Sequence, residues 1–393
     1  LVMWIDPSHV LLCFRNHAKS FVAVAFMRSA EADAIRQNVR PGGPLQITTQ
    51  TLVENPLICP YKLGKEMRAL VTGATGFIGS HVAEALVARG YEVTCLVRRT
   101  SDLRWLSNVA VRLVYGSVED KESLLPAVED QEYVFHCAGL TKAKRARDYF
   151  RVNTGGTENL LRACEERQIG LNRFVLVSSQ AAVGPSGSRT PLVEDDPCRP
   201  ITPYGRSKYE AEQLVRQAGE RIGYCIVRPS AVYGPRDRDI LFFFQMIQRG
   251  VILAIGGREH YLNLVYVDDL VRGILAAAEA PGAAGEAYFV TYARPYQWEE
   301  AARIVARALG KRYMRLRIPT ALGYAVALLA EGAGLLKRKA ALLNRDKMRD
   351  IMQSYWLCSP EKIETQLGFR ATVGLEEGAP ITAHWYREHG WLR

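Results

Sequence analysis

The sequence predicts a doubly wound α/β fold built on a parallel sheet, and three observations carry that prediction. The first is a short apolar run, Arg68-Ala69-Leu70-Val71, leading straight into Thr72-Gly73-Ala74-Thr75-Gly76-Phe77-Ile78-Gly79. The second is a helical pattern immediately downstream, where Ser80 to Arg89 places Val82, Ala83, Leu86 and Val87 on one face and Gly90 supplies a stop. The third is recurrence, with further strand-like runs at Glu92 to Val97, Val111 to Tyr115, Tyr133 to Gly139 and Arg173 to Ser179. A glycine-rich turn between a strand and a helix is an anion site. Backbone N–H groups at the helix N-terminus point at the ligand, and glycines let a pyrophosphate approach the backbone. Gly73, Thr75, Gly76, Phe77, Ile78 and Gly79 are therefore candidate dinucleotide-binding residues.

With 393 residues, 48% of them hydrophobic, the chain has the means to bury a substantial core. Its charge of +10, from 51 basic against 41 acidic residues, suits an anionic ligand such as a dinucleotide. There is no zinc-finger spacing, RNP motif or basic-aromatic array, so nucleic acid is not expected as a partner. The eight cysteines form no CxxC pair, and Cys95 and Cys225 sit inside apolar runs. That usage points to reduced thiols in the cytoplasm and to no metal site. No uninterrupted apolar run reaches the ~18–20 residues of a membrane span. The nearest, Ile318 to Leu336, is broken by Glu331.

Residues 1–66 mix short apolar runs with His9, Arg15, His17 and Lys19 and hold no sustained period. They do not read as a signal peptide, because Asp6 and His9 break the start. Met67 falls directly before the first strand, so the expectation is that 1–66 is translated upstream sequence or a disordered extension. A dinucleotide-binding domain is then expected over 67–232. A smaller α/β substrate-binding subdomain is expected over 233–393, with some segments returning to the main sheet.

The glycine spacing, Gly73, Gly76 and Gly79, is GxxGxxG. Written TGATGFIG, it resembles the extended branch of the short-chain dehydrogenase/reductase superfamily. That branch includes NAD(P)-dependent epimerases and dehydratases, 3β-hydroxysteroid dehydrogenases and dihydroflavonol reductases. The resemblance implies a Rossmann-type fold, NAD(P) as cofactor and a homodimer. The second strand ends in Val97-Arg98-Arg99-Thr100-Ser101, without the Asp or Glu that bonds the ribose of NAD. Arg98 and Arg99 suit the 2′-phosphate of NADP, which is the preferred cofactor, with NAD as the alternative. In Gly116-Ser117-Val118, Ser117 stands where the family commonly has an adenine-binding Asp, and Val118 is a candidate cofactor contact. Ala138 and Gly139 end the fourth strand with small residues beside the cofactor, and His136 is expected to pack within that strand. The loop 141–147 carries Lys142, Lys144, Arg145 and Arg147, a solvated run or a receiver for an anionic substrate group. Asn153, in Val152-Asn153-Thr154-Gly155-Gly156-Thr157, matches the family Asn near the cofactor ribose.

The fifth strand ends in Ser178-Ser179, and Pro203-Tyr204-Gly205-Arg206-Ser207-Lys208 opens a helix. Tyr204 and Lys208 are four residues apart and share a helix face. Moving a hydride to or from an alcohol carbon requires a proton to leave or join its oxygen. A free tyrosine, with a pKa of ~10, is a poor base at neutral pH. An adjacent ammonium and an oxidised nicotinamide favour the phenolate, and a serine hydroxyl steadies charge on the substrate oxygen. By the resemblance Ser179, five residues before Gly184, is the working serine, giving Ser179, Tyr204 and Lys208 as the candidate catalytic residues. Ile226 to Pro235 and Val265 to Leu270 match two further signatures of the extended branch, which places Pro229 and Val232 beside the nicotinamide. Asp268 and Asp269 read as an N-cap and a structural contact, and Tyr296 to Gly310 as an amphipathic helix. Ala321 to Leu336, followed by Lys337-Arg338-Lys339, reads as a core helix, with an apolar pocket lining or a membrane-surface contact as the alternatives.

The activity these features imply is hydride transfer between NADP(H) or NAD(H) and a secondary alcohol or ketone of a bulky, apolar substrate of steroid, terpenoid or flavonoid type. The alternative is a nucleotide-sugar 4-epimerase with tightly bound NAD, with Arg236 and Arg238 on the sugar nucleotide's phosphates. A dehydratase is disfavoured, because Gln180 and Ala181 stand where an acid pair is needed. A cofactor-binding protein without turnover is a third reading, and a complete triad argues against it.

Overall fold

The computed structural model describes residues 67–167, 170–219, 221–255, 259–325, 328 and 345–392, together with three short strands near the N-terminus. The chain divides into two compact units, 1–65 and 66–393. In the first, Val2–Asp6, His9–Leu12 and Ala25–Arg28 pair antiparallel in that order. Apart from these strands, the segment expected to be an extension lies outside the described residues.

The second unit is built on seven parallel strands. They are β1 (Arg68–Thr72), β2 (Glu92–Val97), β3 (Val111–Tyr115), β4 (Tyr133–His136), β5 (Arg173–Val177), β6 (Tyr224–Pro229) and β7 (Ala287–Val290). Their order in the sheet is β7-β6-β5-β4-β1-β2-β3. The order reverses between β1 and β4, paired Thr72 to His136 at their ends, and such a reversal opens a crevice beyond the strand C-termini. Central strands are covered on both faces and so read as continuous apolar runs: β4 and β5 are buried throughout, whereas the edge strand β3 is partly exposed.

Alternate residues of each strand feed two cores. Ala69, Val71, Phe135 and Val227 pack with Val82 and Leu86 of α1 (Phe77–Ala88). On the other face Leu70, Val134, Phe174 and Ile226 meet residues of α2 (Lys121–Val128), α3 (Gly155–Glu166) and α4 (Pro203–Ala218), such as Leu124, Leu160 and Val215. Downstream, α5 (Leu241–Gln248), α7 (Trp298–Leu309) and α8 (Leu375–Glu388) enclose a third core around Phe244, Val305 and Tyr386. Between them, α6 (Val267–Glu279) and β7 return the chain to the main sheet.

Several boundaries differ from expectation. α1 starts at Phe77, inside the glycine motif, because Gly76 caps it without a side chain. α6 starts at Val267, so Asp268 and Asp269 lie in its first turn and Tyr266 is the N-cap. α7 starts at Trp298, because Tyr296 and Gln297 are taken up by a strand that pairs with Tyr261–Leu262. Of Ala321 to Leu336, only 321–325 and 328 are described, and the remainder lies outside the described residues.

Candidate active site

The turn after β1 is shaped by close backbone approaches. Gly73 has φ 69°, and a Cβ there would lie 2.7 Å from the Ala138 amide nitrogen at the end of β4. A Cβ on Gly79 would lie 2.3 Å from the Gly73 carbonyl oxygen, so any side chain would force the helix off the turn. Gly76 N–H donates to the Gly73 carbonyl at 2.9 Å. The first turn of α1 has no side-chain cap and no acidic residue, leaving its N–H groups and positive dipole end for an anion. Thr75 is partly exposed on this turn, while Phe77 and Ile78 pack against the core. This cradle fits a dinucleotide pyrophosphate.

At the end of β2, Arg98 and Arg99 are both exposed, and neither has a carboxylate partner among the described residues. The Arg98 amide donates to Ser101 Oγ at 3.2 Å, and the Arg99 guanidinium lies 5.5 Å over the Tyr115 ring. Val118 is buried against Gly156 at the start of α3, and its carbonyl accepts from Asn159 Nδ2 at 2.9 Å. Its visible role is to lock the loop after β3 onto α3. Pro229 ends β6 opposite Val290, and Val232 lies in the short strand Ala231–Tyr233, paired with Val265.

Tyr204, Lys208 and Ser179 come together beyond β5. Thr202 caps α4, accepting from the Gly205 amide at 3.2 Å, and Pro203 opens it in the position where a missing N–H costs nothing. Tyr204 and Lys208 follow one turn apart. Ser179 Oγ accepts from the Ala181 amide at 3.1 Å, and its hydroxyl favours the charged form of the Tyr204 phenol. Lys208 is buried, and Nζ donates to the Val177 carbonyl at 2.7 Å. A Cβ on Gly139 would lie 3.2 Å from Asn153 Oδ1 and 3.9 Å from Lys208 Nζ, so Gly139 leaves the space beside the lysine open. Burial pushes the Tyr204 phenol up to about 12, with the Ser179 hydrogen bond opposing. Burial pulls the Lys208 ammonium down to about 8, with Glu212 opposing.

Asn153 sits on a π turn, Phe150–Thr154, and is buried. Its Oδ1 accepts from Leu140 N at 2.7 Å, and Nδ2 donates to the Leu140 carbonyl at 3.1 Å and to Ser207 Oγ at 2.9 Å. It thus ties the loop after β4 to α4. His136 packs inside β4, as expected, but also joins elements. Its Nδ1 lies 2.7 Å from Thr72 Oγ1, and its Nε2 lies 3.0 Å from Thr157 Oγ1. The Thr157 hydroxyl donates to the Asn153 carbonyl at 2.6 Å, and Ala138 N–H donates to Thr72 Oγ1 at 3.2 Å. One proton order satisfies all four bonds: Nε2 protonated, Nδ1 accepting from Thr72. Burial holds the imidazole down to about 3, hence neutral.

Behind the triad lies an ion pair that the sequence reading missed. Glu212, one turn beyond Lys208, accepts from Arg228 Nη2 at 2.7 Å and Nε at 3.0 Å, and from Ser178 Oγ at 2.6 Å. Both charges are fully buried. The only sequence signal was position, since Tyr204, Lys208 and Glu212 recur every four residues on one face of α4.

Arg236, a candidate for a sugar nucleotide's phosphates, is paired within the chain. Its Nη2 donates to Glu84 Oε1 at 2.6 Å and its Nη1 to Ser80 Oγ at 3.0 Å, and its guanidinium lies 4.9 Å over Trp105. Its charge is thus paired on α1. Arg238 stacks 4.8 Å over Trp391. Of the cations in the loop 141–147, Lys142 is paired with Asp239, while Lys144, Arg145 and Arg147 are exposed. Asp269 is structural, its Oδ2 accepting from Thr372 N at 2.8 Å and Val373 N at 2.7 Å. Among the described residues no cluster of His, Cys, Asp or Glu could hold a metal ion, and no helix is long and apolar enough to cross a membrane. Cys95, Cys137, Cys164, Cys198, Cys225 and Cys358 are free thiols.

A parallel sheet with a glycine cradle at its switch point, and a Tyr, Lys and Ser beyond its next strands, defines a Rossmann-type oxidoreductase architecture. The chain belongs to the NAD dependent epimerase/dehydratase family, whose model matches residues 69–290. This bears out the resemblance to extended short-chain dehydrogenases/reductases and makes the chain an enzyme of that type. It is 29% identical to a ceramide reductase of Caulobacter vibrioides, over 82% of this chain and 95% of that protein. It is 32% identical to a 3-beta-hydroxysteroid dehydrogenase of Mycolicibacterium neoaurum, over 64% of this chain and 72% of that protein. Among solved structures, UDP-glucose 4-epimerase of Thermotoga maritima superposes with a TM-score of 0.69 at 25% identity, covering 82% of this chain and 99% of that one.

Proposed function

We propose that this enzyme is an NADP-preferring dehydrogenase or reductase acting on a secondary alcohol or ketone of a bulky, apolar substrate. The observation that carries the reading is the meeting of Ser179, Tyr204 and Lys208 beside the small-residue end of β4 and the cradle of Gly73 to Gly79. Two relatives, named for a ceramide and a 3β-hydroxysteroid, support a lipid-like substrate. The nicotinamide, when bound, supplies the hydride donor or acceptor. The chain's residues supply the rest. Gly73 to Gly79 and the α1 N-terminus would hold the pyrophosphate, and Arg98 and Arg99 would hold the 2′-phosphate. Lys208 Nζ, which donates to the Val177 carbonyl, would also hold the ribose hydroxyls. In alcohol oxidation the carbinol C–H leaves as hydride, the O–H proton passes to Tyr204 Oη, and Ser179 Oγ steadies the substrate oxygen; reduction reverses each transfer. A phenol near 12 is unsuited to this work at neutral pH, so cofactor binding must lower it. Lys208, one turn along α4, and an oxidised nicotinamide would provide the charge that does so. Residues 67–232 form the cofactor-binding part and 233–393 mainly the substrate part, in a homodimer whose mass light scattering would report.

The test is the cofactor content of the purified protein, by absorbance and mass spectrometry, followed by titration with NADP and NAD. An empty protein that binds NADP more tightly supports the reading. Stoichiometric, non-exchanging NAD would favour the 4-epimerase instead.

A further inference from the structure

Unpaired cations and exposed apolar side chains are concentrated together in one stretch of the C-terminal part. From Arg303 to Ala330 the sequence holds Arg303, Arg307, Lys311, Arg312, Arg315 and Arg317 and no acidic residue. Arg303 and Arg307 lie one turn apart on the exposed side of α7. Gly310, at φ 65°, ends that helix and turns the chain, so that Lys311 and Arg312 join them around a cleft of about 570 Å³. Of the six cations only Arg315 has an ion-pair partner among the described residues, namely Glu299.

Directly after the cleft comes the strand Met314–Ile318, which pairs with Val251–Ile255 in a sheet of two strands. Little covers it: Met314 is 61% exposed and Leu316 40%, and Leu322 and Leu328 beyond are 53% and 51% exposed. Four of the nine large hydrophobic side chains exposed among the described residues thus fall within 314–328. In sequence the stretch runs on through Ala- and Leu-rich residues to Lys337-Arg338-Lys339.

We propose that this surface, Arg303, Arg307, Lys311 and Arg312 with Met314 and Leu316, docks the enzyme on an anionic phospholipid bilayer. The occupant is set by chemistry. A nucleic acid would pair with the cations and leave the apolar side chains in water. A second copy brought face to face would set unpaired cations against each other. A headgroup layer takes both, since its phosphates accept from the guanidinium groups while apolar side chains enter the acyl boundary. Docking is independent of the proposed reaction, because it requires no turnover.

The test is flotation of the full chain with phosphatidylcholine vesicles and with vesicles containing equal parts phosphatidylglycerol, at low and high salt. The protein should float with the phosphatidylglycerol vesicles alone and be released as salt rises. Each cation near the surface is worth about fivefold in affinity, so Arg303→Glu/Arg307→Glu/Lys311→Glu should weaken binding by at least ~100-fold. Met314→Ser/Leu316→Ser should weaken it severalfold at unchanged charge. NADP titration of each variant reports that the fold is intact and separates failure here from failure of the oxidoreductase reading. Three results would overturn the proposal. One is absence of flotation by the unaltered chain. Another is loss of binding in the charge variant only, with duplex DNA competing, which would indicate a polyanion site. The last is a change in oligomeric mass in the serine variant with vesicle binding unchanged, which would indicate a self-association face.

Discussion

Replacing Glu212 by Gln should be among the most destabilising single changes in the molecule. Glu212 and Arg228 are 0% and 1% exposed, and three donors converge on the carboxylate: Arg228 Nη2 at 2.7 Å, Arg228 Nε at 3.0 Å and Ser178 Oγ at 2.6 Å. Gln keeps one acceptor oxygen but no charge, so the buried guanidinium loses its counter-ion and has, besides that oxygen, only Cys198 Sγ at 3.6 Å and the Glu194 carbonyl at 3.2 Å as acceptors. Breaking such a pair costs about 3–5 kcal/mol, whereas replacing both partners by uncharged groups is often near neutral. At about 2 °C per kcal/mol for a unit this large, the single variant should melt roughly 6–10 °C lower. Glu212→Gln/Arg228→Met should recover most of the loss. Urea and thermal unfolding of the wild type, both single variants and the double variant complete the cycle. A single variant within ~1 kcal/mol of wild type, or a double variant worse than either single, would refute the reasoning. A second readout concerns chemistry. Glu212 raises the pKa of Lys208, so its removal should lower that pKa further and move the alkaline limb of the pH–rate profile to lower pH.

Three other outcomes rest on the same geometry. His136 is held neutral, at about 3 in the folded state against 6.5 when free, so the unfolded chain binds more protons between those values and stability falls as pH drops through that window. The loss should reach about 2–3 kcal/mol by pH 4.5, and His136→Gln should flatten the slope seen in urea midpoints. Gly79→Ala would put a Cβ 2.3 Å from a backbone oxygen, and should cost about 1–3 kcal/mol and at least tenfold in cofactor affinity by calorimetric titration. Arg98→Ala/Arg99→Ala should weaken NADP at least tenfold and leave NAD nearly unchanged; equal losses for both cofactors would contradict a 2′-phosphate site.

Legibility in the sequence tracked burial. Central parallel strands are covered on both faces, so β4 and β5 read as apolar runs, while β2 and the edge strand β3 read with the bounds the structure has, Glu92–Val97 and Val111–Tyr115. Helix starts were harder, because α1 and α6 begin without side-chain caps. The smallest strands were not legible at all. Tyr261 pairs with both Gln297 and Tyr355, contacts that exist only once distant segments have met. The site divides the same way. Its candidate reactive residues announce themselves by type and spacing, whereas their supports do not: nothing in the sequence pairs Glu212 with Arg228, and Thr72, Thr157 and Asn153 show no pattern that links them to His136. The pairing of Arg236 with Glu84, far away in sequence, was likewise not legible.

The central claim is that Tyr204 carries the proton in a hydride transfer. Tyr204→Phe removes only the phenolic oxygen, leaving the ring beside Tyr149 at 5.9 Å and the cofactor cradle untouched. The direct measurement is the rate of NADPH consumption with a panel of apolar ring ketones, for wild type and Tyr204→Phe, alongside the NADPH dissociation constant of each. The account predicts a fall in kcat of at least ~100-fold, at the low end of what a positioned acid–base group contributes, with NADPH affinity nearly unchanged. Turnover by Tyr204→Phe at close to the wild-type rate would contradict it.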